Sequence, residues 1–331
     1  MYTSIRSLFL SIALMIPGAV MAACTGIDLR DSLSADARAE IAAETAATAY
    51  PEGNHWRATK DDQTITLIGT MHLHDPRMAP IVARLSPIIA DADLLLVEIT
   101  SEEEAAMLRA ISTDPTIAFL TEGPTLIDLV APDIWADLAA AAQKRGVPPF
   151  MAAKYQPWFL SLTLALAPCA AADVAAGKPG LDKQIITAAE AANVPVEGLE
   201  TFREVLGLMA SDPLEEQLRF LPLTVQMERT VEDATATTIT AYFEERHAEL
   251  MAFSRVFARD QVDFPPDEFE VLFAEMMGML LDQRNLMWMD RIETREERNI
   301  VIAVGAAHLS GETGLLKQLA QRGYQLERMP F

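Results

Sequence analysis

An apolar run near the end of the chain, followed by a glycine and then a histidine, constrains the fold more than any other stretch. Ile300 to Val304 is apolar and has the length of a strand, the run breaks at Gly305, and His308 follows three residues later. A continuous apolar run indicates a strand buried on both faces, as in a parallel sheet, although periodicity alone does not exclude a buried helix. Open α/β sheets form their sites in loops beyond the carboxyl ends of strands. His308 is therefore predicted to lie at a site.

The same pattern occurs a second time near the beginning of the chain. Thr64 to Ile68 leads into Gly69, and His72 again follows the glycine by three residues. Two of the five histidines thus share one setting. We expect each glycine to let the backbone turn sharply and bring its histidine over the edge of the sheet.

Two glutamates come at or near the ends of further predicted strands. Glu98 interrupts the apolar run Leu94 to Ile99, and Glu200 closes the run that begins at Val194. A buried carboxylate is costly unless it is paired or binds a metal ion. Together with the two histidines, these acids are the ligands that a divalent transition metal with open positions takes. The alternative is that both histidines only cap the sheet through hydrogen bonds.

The order of the predicted elements indicates the fold class. Strand, helix and strand recur, which predicts an α/β fold with a mainly parallel central sheet flanked by helices. Residues 201–298 carry no strand signal and contain amphipathic, methionine-rich segments. We therefore expect one α/β domain over residues 23–331, with an inserted helical lobe at about 201–298.

The first residues have the composition of an export signal. A basic residue, an apolar core and a small-residue cleavage site over residues 1–22 predict a secretory signal peptide. No later run reaches the roughly 18 apolar residues of a spanning helix, so no membrane span is expected. The mature chain is predicted to be periplasmic or secreted.

The chain contains two cysteines, Cys24 and Cys169. In an oxidising compartment, this even count favours one disulfide between them. The alternative is a lipoprotein signal in which Cys24 is lipidated.

Charge and motif searches exclude several classes of function. The net charge of −22 argues against a nucleic-acid or anionic-membrane partner, since no basic surface would release counterions. The sequence contains no HExxH, no GxSxG and no GxxxxGK[ST] motif. Zincin, serine-hydrolase and P-loop chemistry are therefore not indicated.

The motifs described above are similar to those of a known family. The paired segments Gly69–His72 and Gly305–His308, with Glu98, Gly198–Thr201 and Arg284–Asn285, resemble the TraB/PrgY/GumN family, which includes the TIKI Wnt-cleaving proteases. The resemblance covers about residues 50–330. It implies an α/β core related to that of erythromycin esterases and haem-binding ChaN-like proteins.

The resemblance also implies an activity and a set of site residues. TIKI-type members are described as metalloproteases that use Mn²⁺ or Co²⁺, with the two motif histidines and a glutamate essential. By resemblance, His72, Glu98 and His308 would bind the metal (Mn, Co or Zn), and Glu98, Glu200 and Arg284 would be catalytic. The expected function is a metal-dependent hydrolase of a peptide or small acyl substrate. The alternative is a protein that sequesters a peptide or haem without catalysis.

Overall fold

A computed structural model describes residues 24–210 and 212–331 of the chain. The predicted signal peptide, residues 1–22, lies outside the described residues. The strands are β1 (His55–Lys60), β2 (Gln63–Thr70), β3 (Leu94–Val97), β4 (Val196–Gly198), β5 (Asn299–Gly305) and β6 (Gln325–Arg328).

Helices make up most of the rest of the described chain. The α-helices are α1 (Ala35–Ala47), α2 (Met78–Ala90), α3 (Ser101–Thr113), α4 (Leu126–Leu129), α5 (Pro132–Lys144), α6 (Pro149–Ala152), α7 (Pro157–Ala165), α8 (Pro168–Ala175), α9 (Leu181–Ala191), α10 (Phe202–Met209), α11 (Leu214–Arg219), α12 (Leu221–Glu228), α13 (Val231–Phe243), α14 (His247–Gln261), α15 (Pro266–Met277), α16 (Gln283–Glu293) and α17 (Leu315–Gln321). Short 3₁₀ turns occur at Leu29–Ser32, Pro115–Ile117 and Ala306–His308, and a π-helical turn at Gly278–Asp282.

The six strands form one mostly parallel sheet in the order β4-β3-β5-β2-β1-β6. β4, β3, β5 and β2 run parallel to their neighbours, whereas β1 is antiparallel to both β2 and β6. This confirms the predicted α/β class. The carboxyl ends of the four parallel strands share one edge of the sheet, so the residues that follow them are brought to that edge.

Helices cover both faces of the sheet. Successive residues of a strand point to opposite faces, and in β3 and β5 both sets are apolar: Leu95 and Val301 pack with α2 and α9, while Leu96 and Ile302 pack with α16 and α17. All four are at most 2% exposed. The continuous apolar runs in the sequence therefore reflect burial on both sides.

The described residues between β4 and β5 form the helices α10 to α16. They do not all pack in one place: α16 covers the sheet, α12 joins a separate apolar cluster with α4 to α7, and α14 packs on α1. This long helical segment therefore contributes side chains both to the sheet and to the outer helices.

The structure contains the predicted disulfide. Cys24 is bonded to Cys169 in α8, 145 residues further along the chain. The bridge ties the segment before the first helices to the outer helices of the domain.

Among the described residues, no single helix is both long and apolar enough to cross a membrane. The bent pair of α7 and α8, at 96° to each other, meets the length and composition criteria only when the two are taken together.

Candidate active site

Glu98 was predicted to lie within its strand, but β3 ends at Val97 and Glu98 follows it directly. Its carboxylate faces the end of β5. The backbone N–H of Gly305 donates to Oε1 at 2.7 Å, and Nη2 of Arg284 donates to Oε2 at 2.7 Å. Burial disfavours the charged form of Glu98. The positive charges of His308 and His72 in their protonated forms, together with Arg284, outweigh that effect and lower the pKa of Glu98 to about 2. Glu98 is therefore an ionised carboxylate held at the sheet edge.

Glu200 follows β4 by two residues, and its side chain is only 1% exposed. β4 is shorter than predicted, since it ends at Gly198, so Glu200 lies beyond the strand. Arg284 donates to both carboxylate oxygens of Glu200, and Nε1 of Trp288 donates to Oε2 at 3.3 Å. Burial raises the pKa of Glu200 despite Arg284. The two glutamates bound to one guanidinium thus differ in how readily they take up a proton.

Arg284, in the first turn of α16, joins these two acids. Its Nε and Nη2 bond to Glu200, Nη2 also bonds to Glu98, and Nη1 bonds to the backbone carbonyl of Leu280 at 3.1 Å. Nη1 also lies 3.3 Å from Nε2 of His308. A guanidinium has five N–H donors, and all five face an acceptor here. The cation compensates two buried carboxylates at once.

His308 ends the 3₁₀ turn after β5 and is buried. Its Nδ1 lies 2.7 Å from Oδ1 of Asn285, and its Nε2 lies 3.9 Å from Oε1 of Glu98. The ring packs on the indole of Trp288, with centroids 4.4 Å apart. Burial lowers the pKa of His308 to about 4. The imidazole is therefore neutral near pH 7, with the lone pair of Nε2 directed towards the glutamate and Arg284.

His72 follows β2 at the same edge, where Nδ1 of its ring faces Asp182. The side chain is 64% exposed, and Nδ1 lies 3.3 Å from Oδ2 of Asp182 in α9. The hydrogen bond to Asp182 is the main reason that the pKa of His72 is raised, to about 9. The loop is fixed by a bond from the N–H of Leu181 to the carbonyl of Met71, and a Cβ on Gly180 would lie 2.4 Å from the carbonyl oxygen of His72.

The predicted metal ligands thus meet in part. Nε2 of His308 and Oε1 of Glu98 are 3.9 Å apart, within reach of one ion with bonds of about 2.0–2.2 Å. Among the described residues, no group of three His, Cys, Asp or Glu side chains surrounds a common point. Asn285 fixes the proton on Nδ1 of His308, as the outer hydrogen bond of a metal-binding histidine does. His308 and Glu98, whose donor atoms are of the kinds that bind divalent ions, are the two predicted ligands that lie close together.

The two motif glycines are needed for the space around them. Neither Gly69 nor Gly305 is among the described glycines with positive φ, so neither turn depends on a backbone conformation that only glycine adopts readily. A Cβ on Gly69 would lie 2.9 Å from Cδ1 of Leu309 and 3.1 Å from Cα of Ala306, and one on Gly305 would lie 3.3 Å from Oε1 of Glu98. The glycines permit close approach between the two loops and the carboxylate.

Three residues whose roles the sequence patterns do not predict orient this cluster. Asn285 orients His308, Trp288 packs on that ring and donates to Glu200, and Asp182 faces His72. Two sequence features indicate these residues weakly: Asn285 directly follows Arg284, and Trp288 lies one helical turn beyond that arginine.

The fold and the site together define a class of protein: a mainly parallel α/β sheet with two Gly-x-x-His loops and a Glu–Arg–Glu cluster at its carboxyl edge. The family model for the TraB/PrgY/gumN family matches residues 54–328, and the chain belongs to that family. Two similar proteins, from Escherichia coli (strain K12) and Shigella flexneri, are both described as "Uncharacterized protein YbaP". Each is 23% identical over 278 residues, covering 81% of this chain and 94% of its own length.

Proposed function

We propose that this chain is an exported, metal-dependent hydrolase that cleaves a peptide or a similar acyl bond. The observation that carries the proposal is the convergence of an ionised carboxylate, a neutral imidazole and a guanidinium at one sheet edge. Glu98, His308 and Arg284 come from distant parts of the chain and lie within 3.9 Å of one another at their nearest atoms. Side chains of this kind bind, orient and exchange protons with a reacting group.

His308 and Glu98 would hold a divalent ion (Mn, Co or Zn), and His72 would complete the set through Nε2, because its Nδ1 faces Asp182. Such an ion polarises a carbonyl or lowers the pKa of bound water to near 7. Glu200 lies behind Arg284 and keeps the guanidinium in place.

Arg284 would stabilise the negative charge that develops on the substrate. All five N–H donors of Arg284 have partners, so one of these hydrogen bonds must break before the guanidinium can donate to a substrate oxygen. The contact from Nη1 to Nε2 of His308, at 3.3 Å, is the one to be released, since the lone pair of His308 cannot serve both a metal ion and Arg284. Ligation by His308 would therefore free a donor directed into the site.

We place the protein in the periplasm or outside the cell. The proposal is supported by the Cys24–Cys169 disulfide, because such bridges persist in oxidising compartments, and by the composition of residues 1–22.

Measured metal content tests the ligand assignment. The wild type, His72→Ala and His308→Ala are purified, exposed to Mn²⁺, Co²⁺ or Zn²⁺, desalted and assayed for bound metal. We expect both variants to lose the ion that the wild type retains. The matched control is His74→Ala, which removes an imidazole two residues from His72. Unchanged metal content in both site variants would overturn the assignment.

A peptide library incubated with the metal-loaded protein tests the reaction itself. Mass spectrometry should show new peptide termini, and Glu98→Gln should abolish them. Peptides that co-purify uncut would instead support the alternative of sequestration. A Soret band on titration with haem would support the haem-binding form of that alternative.

A further inference from the structure

A groove follows α10 near the candidate active site, with α3 along one part of it and α7 and α11 along the other. It contains two adjoining cavities of about 390 and 350 Å³, which share Ile117, Phe202 and Arg203 as lining residues. The first cavity continues over Trp158 and Leu206, so its floor is apolar and aromatic. An apolar recess of this size takes side chains of a bound chain.

The groove lies near the candidate active site, although no side chain of that site lines either cavity. α3 starts three residues after Glu98, and α10 starts two residues after Glu200. The two helix starts are tied together: the backbone N–H of Phe202 donates to Oε2 of Glu103 at 2.9 Å. The end of the groove at which these two helices start is therefore the end nearest to the carboxylates of the site.

The charges that line the groove are mainly positive, in a chain whose net charge is −22. Arg109 and Arg203 are exposed, and within the described residues neither forms an ion pair with a carboxylate. The guanidinium of Arg203 lies 5.0 Å from the centre of the Phe202 ring. The one acid of the lining, Asp114, already accepts bonds from the backbone and hydroxyl of Thr116. Two cations thus remain available to an anionic ligand.

We propose that the groove binds the part of a short apolar peptide on the carboxyl side of the cleaved bond, with the peptide's free carboxylate held by Arg203 or Arg109. This inference rests on the proposed function, since it names the substrate of the same site. Arg109 is the ninth residue of α3, which places it about 12 Å from the start of that helix at 1.5 Å per residue. An extended chain covers that distance in about four residues.

Binding of two matched peptides tests the inference without catalysis. The probes are one fluorescent tetrapeptide of leucine and alanine, with either a free or an amidated carboxyl terminus. Their dissociation constants are measured by anisotropy on the full chain in EDTA, where the peptide stays intact. We expect the free carboxylate to bind about tenfold more tightly than the amide, the size of effect that a charge-assisted hydrogen bond gives.

Variants locate the effect. Arg109→Gln combined with Arg203→Gln should reduce the preference to less than about twofold, and Ala110→Glu should do the same by placing an acid in the second cavity. Arg229→Gln, which removes an exposed arginine outside the groove lining, should keep the preference of the wild type.

The outcomes separate this inference from the proposed function. Equal binding of the two peptides by the wild type, or a preference that survives both groove changes, overturns the groove proposal. If library peptides are cleaved but the free carboxylate binds no more tightly than the amide, the hydrolase proposal is supported and the groove proposal is contradicted. A carboxylate preference without cleavage supports the groove and removes the hydrolase.

Discussion

Nδ1 of His308 lies 2.7 Å from Oδ1 of Asn285, at the buried side of the candidate site. An amide oxygen only accepts hydrogen bonds, so the imidazole carries its proton on Nδ1 and keeps a lone pair on Nε2. The contact therefore decides which nitrogen of His308 faces Glu98 and Arg284.

Replacing Asn285 by alanine should weaken metal binding without removing a ligand. The imidazole of His308 would lose the bond that fixes its orientation and tautomer, and such outer hydrogen bonds contribute about 10–100-fold in metal affinity. Isothermal titration with Zn²⁺ measures the change. Gln283→Ala, on the exposed side of the same helix, is the control and should bind as the wild type does. Equal affinity for both variants would contradict a positioning role for Asn285.

Removing Arg284 should destabilise the fold strongly. Arg284→Ala leaves the carboxylates of Glu98 and Glu200 buried next to each other without their shared cation. Breaking a buried ion pair in this way costs about 3–5 kcal/mol, measured by urea unfolding. Arg219→Ala breaks an exposed pair with Glu216 and should cost at most about 1 kcal/mol. Similar losses of unfolding free energy in the two variants would contradict a stabilising role for Arg284 between the two buried carboxylates.

A divalent ion should partly restore the stability of Arg284→Ala. The ion would supply positive charge beside Glu98 and Glu200, and a ligand that binds only the folded state raises its stability. Saturating Mn²⁺ or Zn²⁺ should therefore raise the melting temperature of Arg284→Ala more than that of the wild type. Adding His308→Ala to the variant should abolish the extra shift. A shift that persists without His308 would place the ion elsewhere.

Loss of the disulfide should lower stability. Cys24 and Cys169 close a loop of 145 residues, and the chain-entropy relation assigns about 5 kcal/mol to a loop of that length. Cys24→Ser combined with Cys169→Ser should show this loss in urea, and dithiothreitol should bring the wild type to the same level. A reductant that also destabilises the double variant would point to a cause other than the bridge.

Stability should fall in acid because of His247, the first residue of α14. Burial lowers its pKa to about 4 from 6.5, although a hydrogen bond with the backbone of Tyr50 opposes the shift. Glu52 opposes the lowering, and Arg328 adds to it. A histidine with a depressed pKa contributes stability above pH 6.5 that is lost as the pH falls towards 4, about 3 kcal/mol in all.

Urea unfolding of the wild type and His247→Gln at several pH values checks this expectation. The difference in unfolding free energy between the two proteins should shift in favour of the variant as the pH falls from 6.5 to 4. A constant difference would show that His247 does not contribute to the acid sensitivity.

The sequence predicted the sheet well because the evidence was local. The apolar run that ends at Gly305 is buried on both faces, and the rule for carboxyl ends of parallel strands placed His72, Glu98, Glu200 and His308 at one edge. Such runs and their ends can be read from neighbouring residues alone.

The orientation of the side chains could not be predicted in the same way. Asn285 and Trp288 reach His308 from a helix at the end of a long helical segment, and periodicity does not say which partner that helix packs against. His72 and Asp182 are 110 residues apart in sequence, and only tertiary packing brings α9 to the loop after β2. The purpose of Gly69 and Gly305 likewise depends on distances between loops.

The central strand β5 is synthesised after the two strands that flank it in the sheet. This strand lies between β3 and β2, yet its residues leave a ribosome after those of β2, β3 and β4. Until β5 is synthesised, β2 and β3 each lack the strand that lies between them in the sheet, and Glu98 lacks the hydrogen bond from the backbone N–H of Gly305. A polypeptide cut short before Asn299 would lack the strand in the middle of its sheet, and with it both His308 and the backbone N–H of Gly305 that holds Glu98.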